Sequence, residues 1–259
     1  MPLSTTLSIS LLLLLIAAAW WWLFSTRKKP AIKAGFPAVW RPQLEEKVAF
    51  YKHLEPAEKN RFETSIQEFL AKVRITGVST EVEDIDRLLV AASAVIPLFG
   101  FPGWMYRNLS EVLLYEGSFN HDYETREGQG RNILGMVGGH TVSTMILSKP
   151  ALHQGFAEQS THNVGIHEFV HLLDRADGAT DGIPETLIKQ PYMIPWVKMM
   201  QQEILKIRAG ESDIDPYGST NEAEFLSVVS EYFFKQPQLL EEKHPKLFVL
   251  LEKIFRKDV

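Results

Sequence analysis

The five residues His167-Glu168-Phe169-Val170-His171 carry the clearest chemistry in the chain. On a helix, residues four apart share a face and stand about 6 Å apart along the axis. Two imidazoles so placed can converge on one zinc ion. Glu168 lies between them. Its carboxylate can take a proton from metal-activated water and later deliver it to a leaving amine. Asp or Gln at that position would change reach or basicity. An HExxH pattern fixes only three positions and needs a helical setting. Ile166, Val170 and Leu173 supply an apolar stripe, widened by Phe169 and Leu172, and no Pro or Gly interrupts His167 to Asp174.

A catalytic zinc site takes three protein ligands and keeps one position open. Glu185, Glu203, Glu222, Glu224, Glu231 and Asp174 are the downstream candidates. Asp174, three residues past His171, either orients a histidine or is a helix-end side chain beside a turn. Spacing alone does not choose among the glutamates.

The elements around this motif read as α+β, mainly helical, with one small sheet. From about Glu45 to Thr76 apolar residues recur at helical spacing, with Pro56 in a first turn and Gly77 as the stop. Thr80 and Glu83 form a capping-box pattern that opens a helix through Leu88 and Val95. Pro97 and Gly100 end it. EVLLYEGSF and TVSTMILSK, within residues 111 to 149, are β-branched and apolar between Gly-rich turns at 128, 130, 138 and 139, and read as strands. Helices are expected at about 160–174, 193–209, 221–235 and 243–257.

Two segments extend the reading. Asp215 to Phe234, DPYGSTNEAEFLSVVSEYFF, and Asn163 to Pro184, NVGIHEFVHLLDRADGATDGIP, together resemble the Mlc titration factor A (MtfA) family of zinc metallopeptidases. VLLYEGSF, Val112 to Phe119, is similar to that family's central strand, and the likeness covers roughly residues 40 to 259. The Tyr-Gly-x-Thr-Asn-Glu-Ala-Glu-Phe pattern also resembles the catalytic domain of anthrax lethal factor. The resemblance implies a zincin-like fold, Glu224 as the third zinc ligand and Tyr217 as an assisting group. Physical chemistry is compatible with this. Asn221 can cap a helix whose first turn holds Glu224, and a Tyr hydroxyl near a metal can donate to a developing oxyanion. Glu231 lies two turns past Glu224 on the same face, as a support for a ligand or as an ordinary helix carboxylate.

This chain departs from the family in the stretch before the active helix. The family has a Trp-rich, Pro-containing strand there, and this sequence has Gly138-Gly139-His140 running on to Ser148. An edge strand near the metal pairs with the substrate backbone in such peptidases, so the change bears on substrate preference. His121, His140, His153 and His162 read as surface or structural residues, and His53 and His244 as ordinary surface residues.

The chain has 259 residues, 45% of them hydrophobic and 23% charged, which suits a folded body with a real core. It has no Cys, so disulfides, thiolate metal sites and cysteine nucleophiles are excluded. A net charge of −5 argues against a nucleic-acid partner. The charge is unevenly spread. Residues 1 to 26 carry none, Arg27 to Arg74 carries eleven Lys/Arg against six Asp/Glu, and the remainder is acidic. Leu7 to Phe24 is apolar apart from Ser8 and Ser10. Eighteen residues span about 27 Å as a helix, near the thickness of a bilayer core. Trp20 to Trp22 sit at one end, and Arg27-Lys28-Lys29 follow. An uncleaved anchor is the expectation, because a cleaved signal peptide would carry a basic start. The positive flank places the body on the cytoplasmic side of a bacterial inner membrane.

The expected organisation is an anchor over 1–26, a basic linker over 27–42 and a peptidase domain over 43–259. The expected activity is zinc-dependent hydrolysis of peptide bonds in a peptide or protein substrate. His167, His171 and Glu224 would hold Zn2+, with Glu168 as base and acid and Tyr217 assisting. The alternative is a tethered binding factor that titrates an Mlc-like transcriptional repressor, with peptidase activity slight or latent. A purely structural zinc site is a weaker third reading, since such sites are four-coordinate by protein and rich in Cys.

Overall fold

The computed structural model describes residues 35–117, 135–137 and 144–256. The apolar segment 7–24, its basic flank, His121, His140 and the Gly-rich positions 128, 130, 138 and 139 lie outside the described residues. Among the described residues, no helix is long and apolar enough to cross a membrane.

Two short helices, α1 (Trp40–Lys47) and α2 (Ala49–Lys52), lead into α3 (Pro56–Leu70). α1 begins inside the stretch read as linker. Pro56 takes the first turn of α3, where its fixed φ fits and its missing N–H costs nothing. Arg41 holds the buried Glu63 through two bonds of 2.9 and 2.8 Å, and the Tyr51 hydroxyl donates to the same carboxylate at 2.7 Å. This triad ties α1 and α2 to α3.

Where a helix was expected as far as Thr76, α3 stops at Leu70 and Arg74–Val78 forms strand β1. The residues Arg-Ile-Thr-Gly-Val favour a pleated surface. Their partner is β2 (Glu111–Tyr115), distant in sequence, which pairs with β1 in parallel from Arg74↔Glu111 to Val78↔Tyr115. Helix α4 (Asp84–Leu98) makes the crossover between the two strands. Glu83, not Thr80, caps α4, and the Glu83 N–H donates to Asp86 Oδ2 at 2.8 Å. Pro97 falls in the last turn of α4 and does not end it early.

Strands β3 (Gly135–Val137) and β4 (Thr144–Ser148) complete a four-stranded sheet of order β1-β2-β4-β3. β2 and β4 are parallel, and β3 runs antiparallel along β4. The small sheet is as expected. Its parallel pairing and the helix α5 (Lys149–Gly155) that follows it are not evident from local pattern. Ile75, Val112, Leu114, Met145 and Leu147 face the helical core, while Tyr115 and Ile146 form a small cluster on the other face. That alternation is the period of a strand.

The main core lies where α4, α6 (Val164–Asp174) and α8 (Glu222–Lys235) meet. Gly165 lets α4 and α6 come close. A Cβ there would stand 2.2 Å from Ser93 Oγ. Helix α7 (Gln190–Ala209) and the pair α9 (Pro237–Lys243) and α10 (Pro245–Phe255) close the C-terminal half. One helix was expected over 243–257, but His244 and Pro245 separate two.

His244 is not the surface residue the sequence suggests. Its side chain is 11% exposed, with Nε2 2.7 Å from Asp213 Oδ1 and Nδ1 3.5 Å from the buried Glu203. Lys243 (2.7 Å) and the Tyr232 hydroxyl (2.9 Å) also donate to Asp213. Partial burial works against the Asp213 anion, but these donors prevail and hold its pKa at about 2. A carboxyl depressed by folding stabilises the protein above its unfolded pKa of about 4 and loses that effect as pH falls towards 2. Asp213→Asn should therefore lower the urea midpoint at pH 6, and the gap from wild type should narrow at pH 3.

Candidate metal centre

Asn163 starts α6 by accepting the Ile166 N–H at 3.0 Å, and Asn221 starts α8 by accepting the Glu224 N–H at 3.0 Å. The two caps set the register of both helices, as Asn does at an N-cap. His167 and His171 then face α8, one turn apart. Glu224 comes back to meet them from the first turn of α8. Its Oε2 is 3.0 Å from His167 Nε2 and 3.3 Å from His171 Nε2. The two Nε2 atoms are 3.1 Å apart. One ligand atom from each residue lies within 4.8 Å of the others, as a shared metal ion requires.

The far sides of both rings are occupied. His167 Nδ1–H donates to Glu231 Oε1 at 2.7 Å. The Ser227 hydroxyl donates to the His167 carbonyl at 3.3 Å, which leaves its oxygen to accept His171 Nδ1–H at 3.2 Å. With a proton on each Nδ1 and a metal ion in place, both Nε2 atoms would present lone pairs to the same point; without the ion, a proton on His167 Nε2 faces Glu224 instead. Supporting partners of this kind fix the tautomer of metal-binding histidines. The donor set of two imidazoles and one carboxylate suits a borderline divalent cation such as zinc.

The electrostatics agree. Glu168 is 7% exposed and adds a third carboxylate to Glu224 and Glu231 around the two rings. Burial opposes a charge on His167, but bonds to Glu224 and Glu231 outweigh it and lift the imidazole to about 10. Burial likewise opposes the Glu224 anion, and its bonds to the two histidines hold it at about 2. Glu168 has no such bonds, and burial raises its pKa. This cage of anions calls for positive charge.

Tyr217 stands at the mouth. Asp215 opens its short 3-10 turn, Pro216–Ser219, by accepting the Tyr217 N–H at 2.7 Å. The Tyr217 ring lies 6.0 Å from that of His167, and partial burial together with the nearby Glu224 and Glu168 carboxylates raises its hydroxyl pKa. It remains 54% exposed, so it can reach an incoming ligand.

The other candidates fall elsewhere. Glu222 is exposed on the opposite side of the α8 start. Glu203 pairs with Lys206 at 2.6 Å, and Glu185 is exposed on the loop after α6. Asp174 is fully buried and accepts the Gly182 N–H at 3.0 Å, so it anchors that loop rather than bonding a histidine. Its burial lifts the carboxyl to about 6. Gly182 has φ +74° and a Cβ there would meet the Glu222 carbonyl at 2.3 Å, so only glycine fits where the loop crosses α8. His153 pairs with Asp86 at 2.5 Å and His162 lies 3.4 Å from Asp215. Both are structural or surface residues, as expected. Ser227 is not among the residues that the sequence singles out. A buried Ser in a helix interior, three residues after Glu224, is the signal that points to it.

Known proteins share this arrangement of sequence. The family model described as glucose-regulated metallo-peptidase M90 matches residues 22–256. An uncharacterized protein of Synechocystis sp. is 29% identical over 241 residues, which cover 88% of this chain and 87% of that protein. Mlc titration factor A of Pectobacterium atrosepticum is 26% identical over 216 residues, covering 79% and 81%. Mlc titration factor A of Escherichia fergusonii is 27% identical over 208 residues, covering 75% and 77%. The match runs through both helices of the metal centre and nearly the whole chain, and the chain belongs to the M90 metallopeptidase family, together with the Mlc titration factor A proteins.

Proposed function

We propose that this protein is a zinc-dependent peptidase, with His167, His171 and Glu224 as the metal ligands. What carries this reading is the convergence of two Nε2 atoms and the Glu224 carboxylate on one point, with Glu231 and Ser227 holding the rings from behind. Zinc bound there supplies a Lewis acid that activates water and polarises a peptide carbonyl. Glu168 does the proton work. Its raised pKa suits a base that takes a proton from water and, as an acid, returns it to the leaving amine nitrogen. Water adds to the carbonyl carbon, the C–N bond breaks, and an acid and an amine leave. The half-exposed Tyr217 hydroxyl, kept protonated by the carboxylates beside it, donates to the oxyanion that forms.

Chelation should abolish hydrolysis of a mixed peptide pool, and added zinc should restore it. Tyr217→Phe should lower kcat by roughly 10²-fold with bound zinc unchanged. Hydrolysis that survives complete chelation removes the metal from the mechanism, and a wild-type rate in Tyr217→Phe removes the tyrosine.

In the same reading, Leu7 to Phe24 anchors the chain in a bacterial inner membrane and Arg27 to Lys29 keeps the body in the cytoplasm. A body protected from cytoplasmic protease in opened cells would overturn that topology. The relatives' name favours one second reading, in which the chain titrates an Mlc-like repressor. Repressor capture that is indifferent to chelation and to Glu168→Gln would favour it.

A further inference from the structure

A cavity of about 720 Å³ opens at the C-terminal end of α6. One wall is the loop that carries Trp104, Met105, Tyr106 and Arg107, and the other is Leu172 and Arg175. The Arg175 N–H bonds the His171 carbonyl, so Arg175 stands one helical turn beyond the second histidine, about 6 Å along the axis. None of His167, Glu168, His171, Tyr217 or Glu224 lines the cavity, which lies farther along α6 than the metal centre.

Its loop wall is fixed. The Tyr106 hydroxyl donates to the Ala94 carbonyl at 3.0 Å, and its ring lies 5.0 Å from Phe169 of α6 and 5.4 Å from Trp104. The cavity's charge is one-sided. Arg107 and Arg175 have no carboxylate partner among the described residues, and no acidic side chain lines the cavity. Asp177 and Glu185 lie next to lining residues in the chain, the Asp177 carboxylate accepting the Ala179 and Glu185 N–H groups, and neither side chain is part of the wall. Lys72 adds a third cation at the rim, against Met105. A helix C-terminus alone accounts for one cation, Arg175. It does not account for Arg107, which comes from a different element to the same space.

We propose that this cavity receives a carboxylate of the peptide substrate, either an Asp or Glu side chain or the free C-terminus. The proposal rests on the peptidase reading and names its substrate class. A guanidinium grips a carboxylate through paired N–H donors. Apolar walls of Trp104 and Leu172 lower the local dielectric and strengthen that attraction.

The test uses the full chain and random-sequence peptide pools that carry Glu or Gln at one fixed position, each as free acid and as C-terminal amide. Binding to Glu168→Gln is read by fluorescence anisotropy and cleavage by wild type is read by mass spectrometry. The carboxylate member of a pair should bind and cleave roughly tenfold better. Preference for Glu in the amidated pool assigns a side chain, and preference for the free acid alone assigns the C-terminus. The double variant Arg107→Glu/Arg175→Glu should lose the preference and favour Lys-containing peptides, a reversal that mere unfolding does not produce. If that variant does not fold, Arg107→Gln, a change on an exposed loop, should reduce the preference by itself. Cleavage with no carboxylate preference, or a preference unmoved by these changes, overturns the inference and leaves the peptidase reading intact. Charge-selective binding without any cleavage upholds the inference and defeats the peptidase reading.

Discussion

Glu168→Gln is expected to cut peptide hydrolysis by about 10²–10⁴-fold while the protein keeps its metal. Glutamine has the same shape but cannot accept and return a proton at neutral pH. Glu168 does not reach the histidines or Glu224 by a hydrogen bond, so the three metal-facing atoms should keep their places. Nor should the fold suffer. Burial raises the Glu168 pKa, which means the ionised carboxylate is a cost carried by the folded state. An uncharged amide relieves it, and the thermal midpoint should hold or rise. Metal content, thermal midpoint and kcat/KM measured together separate the outcomes. Full turnover with glutamine present would show that another group moves the proton.

How far the sequence anticipates this site depends on how local each cause is. The helix expected over about 160–174 is present from Val164 to Asp174, and the expected cap at Asn221 holds, because both follow from spacing and neighbouring residues. Choosing Glu224 over Glu222 needed more. Both lie in the first turn of α8, and only the contact with α6 turns one inward and leaves the other in solvent. Strand β1 escaped because its apolar residues also fit the end of a helix, and the pairing that decides is with β2, far along the chain. Asp174 and His244 escaped for a related reason. Each looks like an ordinary helix-end residue, and each is buried by a loop or helix that arrives from elsewhere. Local pattern thus exposed the two histidines and offered Glu231 as a support, the resemblance chose Glu224, and Ser227 emerges only from packing.

That division sets the last expectation, which contrasts two glutamates on one face of α8. Glu224→Ala should abolish stoichiometric metal binding, whereas Glu231→Gln should weaken it by about 10–100-fold. Alanine deletes the oxygen that faces both Nε2 atoms and leaves two imidazoles alone, below the three protein ligands that a catalytic site uses. Glutamine at 231 is milder. Its one amide oxygen can still accept His167 Nδ1–H, which lies 2.7 Å from Glu231 Oε1, but its NH2 group then faces the Asn163 N–H that Oε2 accepts, donor against donor. The tautomer survives, but a neutral acceptor polarises the ring less, and the Nε2 lone pair becomes a poorer donor. Competition against a chromogenic chelator measures both affinities on one scale. Equal loss in the two variants would mean that Glu231 is itself a ligand, and no loss in Glu231→Gln would mean that its bond to His167 serves the fold alone.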